Sequence, residues 1–355
     1  MDLSQATINT SLFNVTANST DTHVLGQTPH PFIRIVKLLL YLIIFLISAI
    51  GNSLTVFVIM RRRKMKTVTN YFILNLAIAD LTLTLICIPF DIPVQEMDYI
   101  WPYGPFMCKI LYPLQTMCLF ASVFTLTSVS VARYRAIIHP LRPQLTVKRA
   151  KVITVFIWML SVVPVSPYIY VLEHKEETQY CEEHWVDTKS RKIYTVTLFV
   201  IQCIIPLSLI TAAYARIGKE LGAKKLHADN KHLQSAQAEE ARKVIRMLIA
   251  VTALFAVCVL PTNIMWLWLD FGKADQVFVY FWEVVAFCNI MTFANSAANP
   301  VCYTLLNDHY RREIIYSLRK LTFCNQKKLF EQLEMTERDE RRPTLVTMAT
   351  GYSTA

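Results

Sequence analysis

The chain has 355 residues, 54% of them hydrophobic and only 17% charged. Soluble domains carry roughly 25% charged residues, so the composition argues against a soluble enzyme, and 7 glycines argue against glycine-rich phosphate loops and turn-rich multi-stranded folds. A formal net charge of +10 points to nucleic acid or another anionic surface until the charges are placed along the chain.

The first 30 residues are polar and lack the basic and apolar regions of a cleavable signal peptide, so none is expected. They hold three glycosylation sequons, at Asn9, Asn14 and Asn18, which suggests a luminal or extracellular tail. Seven apolar runs follow: Leu38–Met60, Tyr71–Pro89, Ile110–Ala132, Val152–Leu172, Ile193–Ala215, Met247–Leu269 and Val284–Asn307. A spanning helix needs about 20 mostly apolar residues, because a ~30 Å core is crossed at ~1.5 Å per residue. One such run can be a buried core helix. Seven in a row, separated by short charged loops, predict an all-α seven-transmembrane bundle.

Loop charges orient the bundle. The segments after runs 1, 3, 5 and 7 are rich in Lys and Arg, from Arg61-Arg62-Arg63-Lys64 to Arg311-Arg312. They belong on the cytoplasmic side. The N-terminus is then outside and the C-terminus inside. The intervening segments are acidic, notably Glu173–Lys192, with Asp91, Glu96, Asp98, Asp270, Asp275 and Glu283 at other outer helix ends. An acidic mouth attracts cationic ligands; a merely solvated outer surface is the plainer alternative. The basic excess faces the inner leaflet and its partners, so nucleic acid is not expected.

Of 9 cysteines, only Cys108 and Cys181 reach the oxidising side by this map, so elimination pairs them. Two free thiols would be the alternative. Asp80 is the only acid within a run. Asn52, Ser122, Asn295, Ser296 and Asn299 lie at similar depth on other runs. Oxygen ligands around a carboxylate suit a small hard cation or a proton, and the same residues suit a hydrogen-bonded packing cluster. Pro89, Pro164, Pro206, Pro261 and Pro300 interrupt five runs and predict kinks.

These residues resemble the rhodopsin-like (class A) G-protein-coupled receptors over about residues 30–325. The resemblance rests on Gly51-Asn52-Ser53, Asn75-Leu76-Ala77-Ile78-Ala79-Asp80, Ala132-Arg133-Tyr134, Trp158, Pro206 with Tyr214, Phe255 with Cys258-Val259-Leu260-Pro261, and Asn299-Pro300-Val301-Cys302-Tyr303. The Cys108–Cys181 pair matches the family's disulfide. The resemblance implies that Arg133 and Tyr134 face a heterotrimeric G protein, that Tyr214 and Tyr303 hold the active arrangement, and that Phe255, Pro261, Asn299 and Pro300 take part in repacking. It implies an allosteric sodium ion among Asp80, Ser122, Asn295 and Asn299, and no other cofactor. It divides the chain into an extracellular tail (1–32), the bundle (33–306), an amphipathic helix along the inner leaflet (307–322) and a cytoplasmic tail (323–355). Cys324 is a palmitoylation candidate. Arrestin, receptor kinases and membrane lipids are further partners, and the plasma membrane is the expected location.

Two departures stand out. The acid that normally precedes the motif arginine is Ala132, so Arg133 is expected to lack its resting partner and basal signalling to be raised. The tryptophan usual three residues after Phe255 plus one is Val259. Both leave open a weakly coupled receptor.

Ligand class is read from the outer half. Gln115 stands where amine receptors carry an aspartate, which disfavours small amines. The stretches Cys181-Glu182-Glu183-His184-Trp185, Tyr214-Ala215-Arg216-Ile217-Gly218 and Lys243-Val244-Ile245-Arg246-Met247-Leu248, with Asp270, resemble receptors for neuropeptide FF and the RF-amide peptide QRFP. Neuropeptide Y, orexin and tachykinin receptors share several of these features. An Arg-Phe-amide terminus suits this set: Asp270, Glu182 or Glu183 for the guanidinium, Gln115 and Asn289 for the amide, and Trp266 among the aromatics for the ring. An ion-coupled transporter is the other class considered, but no internal repeat appears.

Overall fold

The computed structural model describes residues 31–97, 99–177, 179–226, 232–308, 310–317 and 319; the side chains of 223–238 and 240 are not described. The sequons at Asn9, Asn14 and Asn18 and the tail cysteine Cys324 lie outside the described residues.

Seven long helices follow one another: α1 (Pro31–Arg61), α2 (Val68–Glu96), α3 (Gly104–Ile138), α4 (Val147–Val171), α5 (Thr188–Phe199, continued by Ile205–Leu226), α6 (His232–Gly272) and α7 (Phe281–Leu306). The first six are long and apolar enough to cross a membrane. The seventh has the length, at 26 residues, but carries Asn289, Asn295 and Asn299, which face inward and lower its apolarity. Helical backbone resumes at 310–317, here termed α8. Between α4 and α5 the chain forms a hairpin of β1 (Leu172–Lys175) and β2 (Tyr180–Glu183), paired antiparallel with Glu173 opposite Glu182 and His174 opposite Cys181. The sequence reading had no strand there.

The polarity is inverted relative to a water-soluble bundle. Leu39, Leu42, Ile43, Leu46 and Ile50 of α1, and Val155, Phe156, Met159, Leu160 and Val163 of α4, point outward. Asn52, Asp80, Ser122, Asn295, Ser296 and Asn299 are at most 2% exposed. Apolar side chains outside and polar ones inside suit a hydrocarbon surround.

Small and polar residues knit the helices. A Cβ on Gly51 would stand 2.6 Å from Pro300, so glycine is what lets α1 meet α7. Asn52 Nδ2 donates to the Ser296 carbonyl across the same contact at 3.0 Å. Trp158 Nε1 of α4 donates to Asn75 Oδ1 at 2.8 Å, and Asn75 Nδ2 donates to Thr125 of α3 at 2.7 Å.

Two of the five expected proline disruptions are π-helical segments. Leu83–Cys87 precedes Pro89 and Val200–Ile204 precedes Pro206. Proline lacks the N–H and crowds the carbonyl one turn earlier, and a wider turn relieves both. Pro164, Pro261 and Pro300 stay within α-helix. The second apolar run does not end at Pro89: α2 continues to Glu96. Asp91 therefore lies inside a helix at 4% exposure, a correction to its reading as a surface acid and to Asp80 as the only acid within a span.

Candidate functional site

The polar centre is built first by depth. Asn299 Nδ2 donates to Asp80 Oδ2 at 2.8 Å. Thr84 donates to the Asp80 carbonyl and meets Ser48 at 2.5 Å. Both side-chain atoms of Asn295 and the Ser122 hydroxyl are buried without a hydrogen-bond partner. Such groups cost about 1–3 kcal/mol each when left unsatisfied. A buried carboxylate, amide oxygen and hydroxyl are donor types that suit a small hard cation with its water. Of the residues read from the sequence, Asn299 bonds Asp80 directly, Asn52 connects to it through Ser48 and Thr84, and Ser122 and Asn295 are buried without a hydrogen bond among the described residues.

The outer mouth is closed on one side by the hairpin. Cys108 at the top of α3 and Cys181 of β2 form a disulfide, which holds β2 over the bundle. Alternation along β2 sends neighbouring side chains to opposite faces. Glu182 is exposed and pairs with Lys175 at 3.1 Å, whereas Glu183 turns inward. Trp185 Nε1 donates to Glu183 Oε2 at 2.6 Å. Burial raises the Glu183 carboxyl above the usual carboxylate range; Trp185 and Arg191 pull it back and Asp270 pushes it further up.

Asp270 does not wait unpaired. Its side chain is 5% exposed and meets Arg191 Nε at 2.9 Å, and the Thr195 hydroxyl donates to its Oδ2 at 2.5 Å. Arg191 also stands 3.9 Å from Glu183. Two carboxylates therefore share one guanidinium, leaving a net negative spot between β2, α5 and α6. Asp187 caps α5 by accepting from Ser190 N, which sets Arg191 one turn in; that backbone bond draws its carboxyl below the ordinary range. Arg191 and Thr195 were missed in the sequence. Their signal was spacing, since residues four apart on one helix share a face.

Below this spot, Gln115 and Asn289 are half-buried, and neither side-chain amide makes a hydrogen bond among the described residues. Trp266 packs against Met265, Phe281, Val285 and Cys288. Trp268 is 40% exposed and lies against Phe278 and Phe281, at the edge of the same cluster. Where the tryptophan is replaced, Val259 is buried, and Asn263 bridges its carbonyl to Gln202 of α5 at 3.0 and 3.1 Å. Phe255, one turn below, is fully buried.

At the inner end, the Tyr214 and Ser130 hydroxyls are 2.8 Å apart, and Tyr214 lies in electrostatic range of Arg133. Arg133 Nε is buried without a partner, and no ion pair reaches Arg133 among the described residues. Tyr134 packs edge-on against His139. Tyr303 is fully buried and meets Tyr310 of α8 edge-on, ring centres 5.7 Å apart. Restraints on α6 come from elsewhere: Lys243 meets Asp308 at 3.5 Å, and Arg242 donates to the Leu221 carbonyl of α5 at 2.6 Å. Arg62 pairs with Glu313 at 3.1 Å and covers Tyr316, which docks α8 on the inner end of α1.

Comparison with known proteins gives this arrangement its family. Residues 51–303 match the profile of the 7 transmembrane receptor (rhodopsin family). The chain belongs to the rhodopsin family of seven-transmembrane receptors. This is a family of receptors and not of enzymes, and its members pass repeatedly through a membrane. The chain is 35% identical to mouse neuropeptide FF receptor 2 over 312 residues, 82% of this chain and 74% of the relative. It is 33% identical to rat galanin receptor type 1, covering 82% and 84% respectively, and 31% identical to the mouse pyroglutamylated RF-amide peptide receptor, covering 77% and 67%. Within this class A family, then, the chain is related to RF-amide and galanin receptors.

Proposed function

We propose that this receptor sits in the plasma membrane with its N-terminus outside, binds a cationic peptide with an amidated C-terminus, and activates a heterotrimeric G protein through the Arg133 surface. The observation that carries the reading is the outer arrangement: Glu183 and Asp270 share one arginine above Gln115 and Asn289, whose amides have no partner among the described residues. A C-terminal amide both donates and accepts, as these two side chains require. Glu183 and Asp270 attract a guanidinium, and Trp266 borders the space an aromatic ring would enter. Glu182, on the outer face of β2, contributes to steering rather than to contact. The resemblance to neuropeptide FF and RF-amide receptors supports the same chemistry.

In this reading Asp80, Asn52, Ser122, Asn295 and Asn299 form a polar network that takes a sodium ion. Phe255, Pro261, Pro300, Tyr214 and Tyr303 carry the change in α6 and α7 to Arg133 and Tyr134. A second reading, a peptide whose deep-seated end lacks arginine, is favoured by Arg191 already filling the place beside Asp270 and by the equally broad likeness to galanin receptor type 1. The deciding experiment expresses the full chain in cells and measures G-protein activation against amidated and non-amidated neuropeptides. Responses led by peptides ending in Arg-Phe-amide are expected. Activation only by peptides without that end would replace the first reading with the second.

A further inference from the structure

Asp91 differs from the acids at this end of the bundle that have ion pairs. Glu96 is paired with Arg34, Glu182 with Lys175, and Glu183 and Asp270 with Arg191. Asp91 is 4% exposed and has no ion pair among the described residues. Its Oδ2 accepts from the Tyr41 hydroxyl of α1 at 2.7 Å, and the Gln95 side chain, one turn on in α2, supplies a second donor. A carboxylate buried at membrane depth without a contacting cation is costly, and such groups are characteristically functional.

Its surroundings are those of a cation site. Tyr41, Tyr99, Tyr103 and Tyr112 all lie in electrostatic range of one another or of Asp91. Trp101 braces the wall, its ring 5.3 Å from both Tyr103 and Tyr112. Tyr41 meets Phe293 and Tyr99 meets Trp282, which closes the box against α7. Tyr99, Tyr103 and Tyr112 are only half-buried, so the box has an open side, and Tyr112 stands one turn above Gln115 on α3. A carboxylate among tyrosines offers an organic cation both acceptors and aromatic surface. The cation in range is Lys37, 8% exposed and one turn from Tyr41 on α1, yet it is not in contact. Four acceptor positions on the carboxylate, of which Tyr41 and Gln95 use two, leave room for a further donor.

We propose that Asp91 and the tyrosines around it form a second cation subsite, on the α1–α3 side of the cavity, which takes an ammonium or guanidinium of the peptide other than the one drawn to Asp270. This rests on the peptide reading above and adds to it a requirement for two separated positive charges. Lys37, nearby but out of contact, balances part of the Asp91 charge when the ligand is absent.

The test uses the full-length receptor in cells, with surface expression measured, and an Arg-Phe-amide peptide in three forms: parent, arginine replaced by citrulline, and N-terminally acetylated. Asp91→Asn should weaken the parent at least tenfold, and should have no further effect on whichever analogue lacks the cation that Asp91 holds. Asp270→Asn should couple to the other analogue. Lys37→Gln leaves the carboxylate in place and should improve the parent three- to tenfold while leaving the matching analogue unchanged; a purely structural Asp91 gives no such gain. Equal losses for all three peptides in Asp91→Asn, or no gain in Lys37→Gln, would overturn the subsite while the receptor still responds. A wild-type receptor silent to every cationic peptide would overturn the ligand class and the subsite with it.

Discussion

Arg133 has no acidic partner among the described residues, and supplying one should quiet the receptor. Ala132 is half-buried beside it, and Arg133 Nε is buried and unbonded. A carboxylate at position 132 would stand roughly 4 Å from the guanidinium, where the gross Coulomb term is about 4 kcal/mol at an effective dielectric of 20. Side-chain ordering and the partial exposure of both residues reduce this to about 1–2 kcal/mol. In the proposed mechanism the pair exists only in the resting arrangement, because Arg133 turns to the G protein on activation. Ala132→Asp should therefore lower ligand-free G-protein activation by about fivefold to thirtyfold, at 1.4 kcal/mol per tenfold. Agonist potency should fall in step, because the competent state becomes rarer. The assay is nucleotide exchange or G-protein dissociation at matched surface expression. Ala132→Asn, which adds bulk and polarity without charge, should produce at most a small part of the effect. Unchanged or higher basal activity in Ala132→Asp, or equal effects of Asp and Asn, would refute the reasoning.

Other variants probe the remaining contacts. Lys243→Ala removes the Asp308 pair, which is over 40% exposed on both sides and so is worth only about 0.2–1 kcal/mol; basal signalling should rise by no more than a few-fold in the same assay. Arg191→Gln should raise the potency of an arginine-bearing peptide three- to tenfold, because the ligand no longer displaces a resident guanidinium; a loss of potency would instead place a ligand carboxylate on Arg191. Glu183 has a raised proton affinity, from burial first and Asp270 second, so it protonates earlier than an ordinary carboxylate as the outer pH falls. Binding of a cationic peptide, measured by radioligand competition, should weaken on mild acidification, and Glu183→Gln should bind more weakly at neutral pH but lose that pH dependence. The sign for folding is opposite: a raised carboxyl contributes least when ionised, so the neutral variant should not destabilise the purified receptor. Gly51→Ala should cost about 1–3 kcal/mol through its clash with Pro300, read as a lower melting temperature in detergent.

The bundle was legible because lipid imposes one rule on every span: about 20 apolar residues, with charge only where it is used. The polar set around Asp80 was legible for the same reason, since each member stood out against its apolar run. Asp91 was not. The run seemed to end at Pro89, and only the π-turn at Leu83–Cys87 shows how α2 accommodates the proline and carries Asp91 inward. Nor was the pairing of Asp270 legible, because Arg191 lies on another helix, placed by the Asp187 cap and the disulfide-held hairpin. Composition marks which residues are costly to bury. It does not say which cation a buried acid faces, as that depends on how helices far apart in sequence are rotated.

The net charge of +10 takes its meaning from that distinction. Inside, the basic residues are partly consumed in docking α8, through Arg62 with Glu313 and Arg311 with Asp308. Arg133 is left unpaired at the end of α3. At the opposite end, Glu96, Glu182, Glu183 and Asp270 are paired with the chain's own Arg34, Lys175 and Arg191. An acidic mouth read as a count of carboxylates thus overstates what a ligand meets. Among the acids drawn into the bundle there, pairing is incomplete at two places: Glu183 and Asp270 sharing Arg191, and Asp91 with Lys37 out of contact. A peptide that carried one charge could satisfy either place but not both, and the difference in affinity between one-charge and two-charge peptides measures how far the chain's own cations have been displaced.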